Sequence, residues 1–219
     1  NGRVREISRY EINDANRLIE DFMLTANETV AREFQKRKLP FLYRVHEGPS
    51  DEKAEELISL VQGLGFSIRK PKDGLRDPRE LSKLLKKTEG SPESVLIERV
   101  ALRSMSKAKY MTECLGHYGL SKKYYTHFTS PIRRYPDLQI HRIIKEAIRN
   151  GGGLKPRRKA HYDKLLPKVA ELCSDNERRA DELERDCDKL KKCEYMRHFV
   201  GERFEAVISG VTGYGFYAE

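Results

Sequence analysis

The sequence predicts an α+β protein, with a helix-rich region up to residue 200 and β-strands in residues 201–219. Two observations support this prediction. Before residue 200, apolar residues recur over several long segments with the period of an amphipathic helix. From Gly201 onward the pattern changes to alternating apolar residues with glycines and aromatics, which is typical of strands.

The first predicted helix begins at Asn13 or Asp14, either of which can cap a helix, and runs to about Lys36. Its apolar residues have helical spacing and are expected to form a core stripe: Ala15, Leu18, Ile19, Phe22, Met23, Ala26 and Val30.

Polar residues follow one edge of that stripe. At about 100° per residue, Asn16, Glu20 and Asn27 stack on the same side of the helix, whereas Asp21 points toward solvent. An acid and two amides beside an apolar face can hydrogen-bond a ribose hydroxyl, which both donates and accepts. They can equally form a network of satisfied polar groups between packed helices.

Residues 39–110 are predicted to hold one strand and three helices. In order these are a strand over residues 41–45, a helix from Ser50 to about Leu64, a helix from Pro78 that ends by Gly90, and a helix from Pro92 to about Tyr110. His46, beside the strand, is interpreted as a structural hydrogen-bonding residue without a chemical role.

Residues 124–138 have the most unusual composition in the chain. Their first half predicts a buried extended segment, and a helix then begins at Pro136 with Asp137 in its first turn. Arg133 and Arg134 lie between two prolines, and three hydroxyl residues precede them: Thr126, Thr129 and Ser130. Arginine forks fit phosphate oxygens two at a time, so this stretch predicts a phosphate-binding turn, or else a surface arginine pair that caps a helix.

Two more helical regions follow. The helix from Pro136 is expected to end at Asn150, and residues 161–173 predict another helix that is interrupted near Pro167. Ser174 and Glu177 have capping-box spacing, so a separate long helix is predicted from there to about Val200. Its apolar stripe consists of Ala180, Leu183, Cys187 and Leu190.

Composition limits the classes of function. The 219 residues carry 43 basic and 34 acidic side chains, a net charge of +9, which is compatible with a polyanionic partner. No apolar run approaches the ~20 residues that a membrane helix needs, and no signal peptide is apparent, so a cytoplasmic protein is expected. The four cysteines lack the spacing of a zinc site.

Three stretches resemble the RNase II/RNase R family, and most closely its bacterial RNase R type. They are Leu18 to Asn27; Leu39 to Pro49; and His117-x-Gly119-Leu120 with the run from Tyr125 to Tyr135, Asp137-Leu138 and His141-Arg142. The resemblance implies that residues 1–200 form the later part of an RNB exoribonuclease domain and that the chain is a fragment of a larger protein.

The resemblance also implies an activity. Members of this family are processive 3′→5′ hydrolytic exoribonucleases that act on the 3′ end of single-stranded RNA and release nucleoside 5′-monophosphates. They are Mg²⁺-dependent and hold the metal with an aspartate cluster early in the domain. No such aspartate run occurs in these 219 residues, so the Mg²⁺ ligands are expected outside the chain and the chain alone is expected to be inactive. A monomer is expected.

Roles for individual residues follow from the resemblance. Arg133 is expected to stabilise transition-state charge, with Arg134 as the local alternative, and Glu184 to orient Arg133 or a bound water, with Glu182 as its competitor. Contacts to RNA are expected from Glu20 (preferred over Asp21), Asn27, Tyr125, Thr129, Ser130 and Arg134.

Residues 201–219 resemble the first two strands of the OB-fold repeat found in ribosomal protein S-one. In that β-barrel exposed aromatic side chains stack on bases. Tyr214 and Phe216 are the candidates for RNA binding, together with Tyr217, and the alternation predicts that one or two of the three are buried.

Two rival functions follow from the same sequence. A catalytically dead RNB scaffold that binds RNA or regulates would also contain the arginine turn. A purely helical interaction module would not explain residues 124–138 or the aromatic strands.

Overall fold

The computed structural model describes residues 4–8, 10–68, 74–206 and 208–218. The elements in chain order are α1 (Asp14–Arg37), β1 (Tyr43–Val45), α2 (Asp51–Gly63), α3 (Pro78–Thr88), α4 (Ser94–Ser104), β2 (Lys109–Met111), a 3₁₀ helix (Tyr118–Leu120), α5 (Tyr135–Arg149), α6 (Pro156–Met196), a second 3₁₀ helix (Arg197–Phe199), β3 (Ile208–Thr212) and β4 (Gly215–Ala218). The predicted helix-rich α+β class is confirmed. No helix in the described ranges is both long enough and apolar enough to span a membrane.

The starts of three helices follow from their capping residues, as predicted. Asn13 caps α1 in a reciprocal capping box with Asn16. The side chain of Ser50 accepts a hydrogen bond from the first turn of α2, and Asp77 does the same for α3, which has proline in its first turn.

The chain divides into two compact units. One consists of residues 13–176, and the other of residues 1–12 together with 177–219. The domain boundary predicted at residue 200 stays a prediction.

The unit of residues 13–176 contains two hydrophobic clusters. The larger one joins the C-terminal half of α1, β1, α5 and the first part of α6, through residues such as Phe34, Tyr43, Ile140 and Leu166. The smaller one joins α2, α3 and α4. Tyr118 belongs to this smaller cluster, and its hydroxyl donates to the carbonyl of Leu75 at 2.6 Å.

The core stripe predicted for α1 is wrong over its first half. Leu18, Ile19 and Phe22 are 57%, 57% and 65% exposed, whereas Asn27, Ala31 and Phe34 are buried. Helical periodicity identifies which face of a helix is apolar, but it does not identify what covers that face.

The helix predicted to run to Tyr110 is too long by six residues. α4 ends at Ser104, and Tyr110 lies in β2, where it pairs with Arg44 of β1. Residues 109–111 pair with β1 and do not continue the helix. The local helical pattern could not predict this pairing, because β1 is distant in the sequence.

The two helices predicted on either side of Ser174 form a single helix. α6 continues through Pro167 and through Ser174, whose hydroxyl donates to Ala170 O at 2.7 Å and accepts from Tyr110 N at 2.9 Å. Ser174 therefore bonds back to its own helix and does not cap a new one. The apolar stripe predicted beyond it is exposed, with Leu183 at 67% and Leu190 at 58%.

The predicted strands after residue 200 form an antiparallel hairpin of β3 and β4. Tyr214, Phe216 and Tyr217 are 84%, 67% and 56% exposed, so the prediction that one or two of them are buried is wrong. A two-stranded hairpin has no second layer against which these side chains can pack.

Candidate nucleic-acid interface

The first half of residues 124–138 lies beside β1, on the side opposite to β2. Arg44 N donates to Tyr125 O at 3.0 Å, and Thr126 Oγ1 donates to Leu42 O at 2.7 Å. Tyr125 and Thr126 are buried, as predicted for this segment. These contacts anchor the segment to the sheet immediately before the arginine turn.

Helix α1 contacts the same segment through Asn27. This side chain is buried; its Oδ1 accepts from Phe128 N at 2.9 Å, and its Nδ2 donates to the hydroxyl of Tyr125 at 3.3 Å. We expected Asn27 and Tyr125 to contact RNA. Burial and these hydrogen bonds give both residues a role in positioning the segment, and their contact with RNA stays a prediction.

Glu20 lies on the side of α1 that Asn27 presents to this segment. It precedes Asn27 by seven residues, which is two helical turns and about 10 Å along the axis. Both Glu20 and Asp21 are exposed, and the helical rotation separates them by about 100°. Of the two acids, Glu20 is therefore the one on the side of α1 that faces the segment before the arginine turn.

Asp137 organises the arginine turn from the first turn of α5. It is fully buried, and its Oδ2 accepts from Ser130 N at 2.8 Å and from Arg134 Nε and Nη2 at 3.1 and 2.8 Å. Its Oδ1 is buried without a hydrogen-bond partner in the described structure. The sequence pattern predicts a helix start at Asp137 but not this role, because the residues that Asp137 binds lie outside the helix.

The two arginines of the turn have different environments. The side chain of Arg134 is only 18% exposed and is held by Asp137. Arg133 is exposed, and within the described ranges its side chain forms no ion pair, while its N–H donates to Ser130 O at 3.3 Å. Thr129 and Ser130 are partly exposed beside it. Arg133 is therefore the guanidinium that is available to a ligand.

Arg44, Tyr110 and His127 lie next to this turn, and the sequence analysis gave none of them a role. The Tyr110 hydroxyl is 2.8 Å from His127 Nδ1, and the Arg44 guanidinium lies 4.8 Å from the centre of the Tyr110 ring. Burial lowers the pKa of His127 far below its ordinary value, and the charges of Arg134, Arg44 and Arg133 lower it further. His127 is therefore neutral near pH 7.

A pair of histidines, His46 and His117, also lies near this segment, with the ring centre of His117 5.1 Å from that of Tyr125. His46 Nδ1 accepts from Gly119 N at 3.0 Å, and a Cβ at residue 119 would lie only 2.9 Å from that nitrogen, so the close approach requires glycine. The structural role expected for His46 agrees with this contact. Burial, with smaller contributions from His46 and Arg44, lowers the pKa of His117 to about 4.

The low pKa of His117 predicts a loss of stability in acid. Between about pH 6.5 and pH 4 the unfolded chain binds a proton at this residue and the folded chain does not, so the free energy of unfolding falls as the pH falls through that window. In urea denaturation, His117→Gln should therefore show a shallower decline than the wild type. His161→Gln, which removes an exposed histidine from α6, is the control and should retain the wild-type decline. Equal slopes for His117→Gln and the wild type would contradict the prediction.

The remaining predicted site residues lie in the unit that contains residues 177–219. Glu184 and its competitor Glu182 are exposed on α6, and Tyr214 and Phe216 are exposed on the hairpin. Their roles stay predictions.

The described side chains do not fit a resident metal. No group of three or more His, Cys, Asp or Glu residues in the part of the chain that the structure describes is arranged to hold an ion. The unpartnered Oδ1 of Asp137 is a single buried ligand atom, and the group next to it is the Arg134 cation.

Comparisons with known proteins agree with the resemblance in the motifs. Residues 1–150 match the RNB domain family. Ribonuclease R of Thermotoga maritima is 42% identical over 219 residues, covering 100% of this chain and 31% of that protein. Ribonuclease R of Escherichia coli is 39% identical over 220 residues, covering 98% of this chain and 27% of that protein. The chain thus spans less than a third of the length of these curated relatives.

Solved structures also resemble this chain. The apo form of Mycoplasma genitalium RNase R superposes with a TM-score of 0.88 at 29% identity, covering 95% of this chain and 32% of that one. Yeast Ssd1, a pseudonuclease, superposes with a TM-score of 0.59 at 26% identity, covering 72% of this chain and 19% of that one. The match over residues 1–150 and these relatives show that the chain belongs to the RNB domain family.

Proposed function

We propose that the full-length protein containing this chain is a processive 3′→5′ hydrolytic exoribonuclease, which degrades RNA to nucleoside 5′-monophosphates in RNA turnover and quality control. One observation carries the proposal: Arg133 is exposed at the end of a turn whose backbone and second arginine are both fixed by buried Asp137. An exposed guanidinium that is carried by a fixed backbone can stabilise negative charge on a phosphate. Relatives that are named Ribonuclease R support this choice of substrate.

The proposal assigns a role to each remaining residue. Arg133 stabilises the charge that develops on the phosphate, and Glu184 takes part in the chemical step. Glu20 hydrogen-bonds a ribose hydroxyl near the 3′ end, and Thr129 and Ser130 donate to the RNA backbone. Mg²⁺ is part of the proposal, with its ligands on the portion of the full-length protein outside this chain, since the described residues do not form a site for it.

The domain organisation belongs to the same proposal. Residues 1–200 form the later part of the RNB domain, and residues 201–219 begin an OB-fold RNA-binding domain. The exposed rings of Tyr214 and Phe216 are suited to stacking on bases, which every base permits because each has a π face. A monomeric, cytoplasmic enzyme is the accompanying prediction.

A degradation assay on the full-length protein tests the activity. The substrate is single-stranded RNA labelled at its 5′ end, incubated with Mg²⁺ and, in parallel, with EDTA. Progressive shortening from the 3′ end that EDTA abolishes is the expected result. Intact RNA in the presence of Mg²⁺ would overturn the proposal.

A catalytically dead RNA-binding protein is the second candidate function. The similarity to Ssd1, which is described as a pseudonuclease, favours it specifically, because it shows that this fold also occurs without nuclease activity. RNA binding without cleavage in the same assay would select this candidate.

Replacing Glu20 by alanine in the full-length protein is expected to reduce the preference for RNA over DNA by about tenfold. The reason is that a carboxylate that accepts from a ribose hydroxyl contributes only when that hydroxyl is present. The measurement is the ratio of degradation rates on RNA and DNA of one sequence. Asp21→Ala, on the neighbouring acid that points elsewhere, is the control and should keep the wild-type ratio. A change confined to Asp21→Ala would reverse the assignment.

A further inference from the structure

Arg44 occupies the centre of β1, and the geometry of the sheet fixes the direction of its side chain. Its N–H donates to Tyr125 O at 3.0 Å, and the N–H of Tyr110, its cross-strand partner, donates to Ser174 Oγ at 2.9 Å. Both N–H groups therefore point away from the opposite strand. This is the non-hydrogen-bonded type of antiparallel pair, in which the two side chains approach most closely. The Arg44 guanidinium accordingly lies over the Tyr110 ring, 4.8 Å from its centre.

Tyr110 connects this guanidinium to His127. The Tyr110 hydroxyl is 2.8 Å from His127 Nδ1, and the two rings meet edge to face with their centres 5.6 Å apart. Nε2 of the partly exposed His127 has no hydrogen-bond partner among the residues that the structure describes. The hydrogen bond and the ring contact hold Tyr110 in place under Arg44.

Arginines from two different elements lie in the neighbourhood of this histidine, Arg44 through its packing on Tyr110, which bonds His127, and two others through the turn that follows His127 in the chain. Arg44 comes from β1, while Arg133 and Arg134 come from the turn before α5, and the charge of each acts on the same His127 ring. Asp137 accepts hydrogen bonds from Arg134 on the side of the turn that faces the core. Arg134 is neutralised by Asp137, whereas Arg44 places a further positive charge beside the turn that carries Arg133, and this favours a bound anion there. The arrangement is therefore that of an anion-binding site and not only of a packed strand pair.

We propose that Arg44, held on Tyr110 beside His127, is a phosphate-binding residue next to the turn that carries Arg133. Its planar fork can donate to two oxygens of one phosphate, and the aromatic ring beneath it keeps the fork in one orientation. The phosphate belongs either to the RNA backbone or to the nucleoside 5′-monophosphate product. This inference rests on the proposed function, which supplies the phosphate.

The test is the salt dependence of RNA binding by the full-length protein in EDTA. In Arg44→Met the side chain can still cover the Tyr110 ring but has lost its charge and its donors. We expect about tenfold weaker binding of single-stranded RNA near 0.1 M salt. We also expect the slope of log affinity against log salt to become shallower by about 0.7, because one fewer phosphate is neutralised. Arg44→Lys keeps the charge and should keep the slope.

A second arm separates the two sources of phosphate. Inhibition of RNA degradation by adenosine 5′-monophosphate is measured for the wild type and for Arg44→Met. A loss of inhibition assigns Arg44 to the product phosphate, and a change in the RNA salt slope alone assigns it to the backbone. Arg103→Met, which removes an exposed arginine at the end of α4, is the matched control and should change neither quantity.

The result that overturns the inference is a wild-type salt slope and wild-type inhibition for Arg44→Met while the wild-type protein binds and degrades RNA. If Arg44→Met fails to fold, Arg44→Gln is measured in the same way and decides the question. If the wild type itself neither binds nor degrades RNA, the proposed function fails first, and the two failures are thereby distinguished.

Discussion

Replacing Arg133 by alanine in the full-length protein is expected to lower the turnover rate by about 10²–10³-fold and to change RNA affinity far less. Arg133 is exposed, and its backbone is held in a turn that buried Asp137 fixes. In the proposed role this guanidinium acts on charge that develops in the transition state, so its loss is expected in the rate and not in ground-state binding.

Single-turnover degradation rates and the dissociation constant for RNA in EDTA, measured for the same variant, separate the two effects. Arg149→Ala removes an exposed arginine from the C-terminal end of α5 and serves as the control; it should retain the wild-type rate and affinity. A parallel collapse of rate and affinity in Arg133→Ala would show that Arg133 binds RNA and does not act on the transition state.

Replacing Asp137 by alanine is expected to destabilise the unit of residues 13–176 by about 3 kcal/mol. The substitution leaves the largely buried guanidinium of Arg134 without its partner and removes the acceptor of Ser130 N. It also releases the turn that carries Arg133, so catalysis should fall with stability.

Urea denaturation measures the loss of stability, and hydrogen exchange of peptides covering residues 124–149 shows whether the loss is local. Glu146→Ala is the matched control on the same helix. It breaks the ion pair between Glu146 and Arg158, whose side chains are 22% and 42% exposed respectively. We expect this variant to lose about 1 kcal/mol of stability or less. In the Asp137→Ala background, Arg134→Met should cost little further stability. A small effect of Asp137→Ala alone would contradict the role given to this carboxylate.

The sequence predicted the starts of those helices that have a capping residue. Asn13, Ser50 and Asp77 cap α1, α2 and α3 as expected, because capping depends on a few adjacent residues. The arginine turn was also predicted from its own residues. Its two prolines and the helix start at residue 135 restrict the backbone locally, whatever the rest of the chain does.

Two element boundaries were wrong because contacts between distant residues decide them. Tyr110 is in a strand and not a helix because β1 lies beside it, and the hydroxyl of Ser174, inside a helix, accepts from Tyr110 N, 64 residues away in the sequence. Neither partner lies within the local windows from which periodicity and capping are read.

The same distinction between local sequence and distant contacts applies to the candidate site. The sequence by itself determined the fold class, the family resemblance and the stretch that carries the two arginines, because these reside in composition, spacing and an unbroken run of residues. Only the tertiary structure decided that Arg134 is held by Asp137 while Arg133 is exposed, that Asn27 and Tyr125 are buried, and that Arg44 joins the turn through Tyr110 and His127. Burial and hydrogen-bond partners are properties of which surfaces meet, and here the surfaces that meet belong to segments up to 101 residues apart in the sequence.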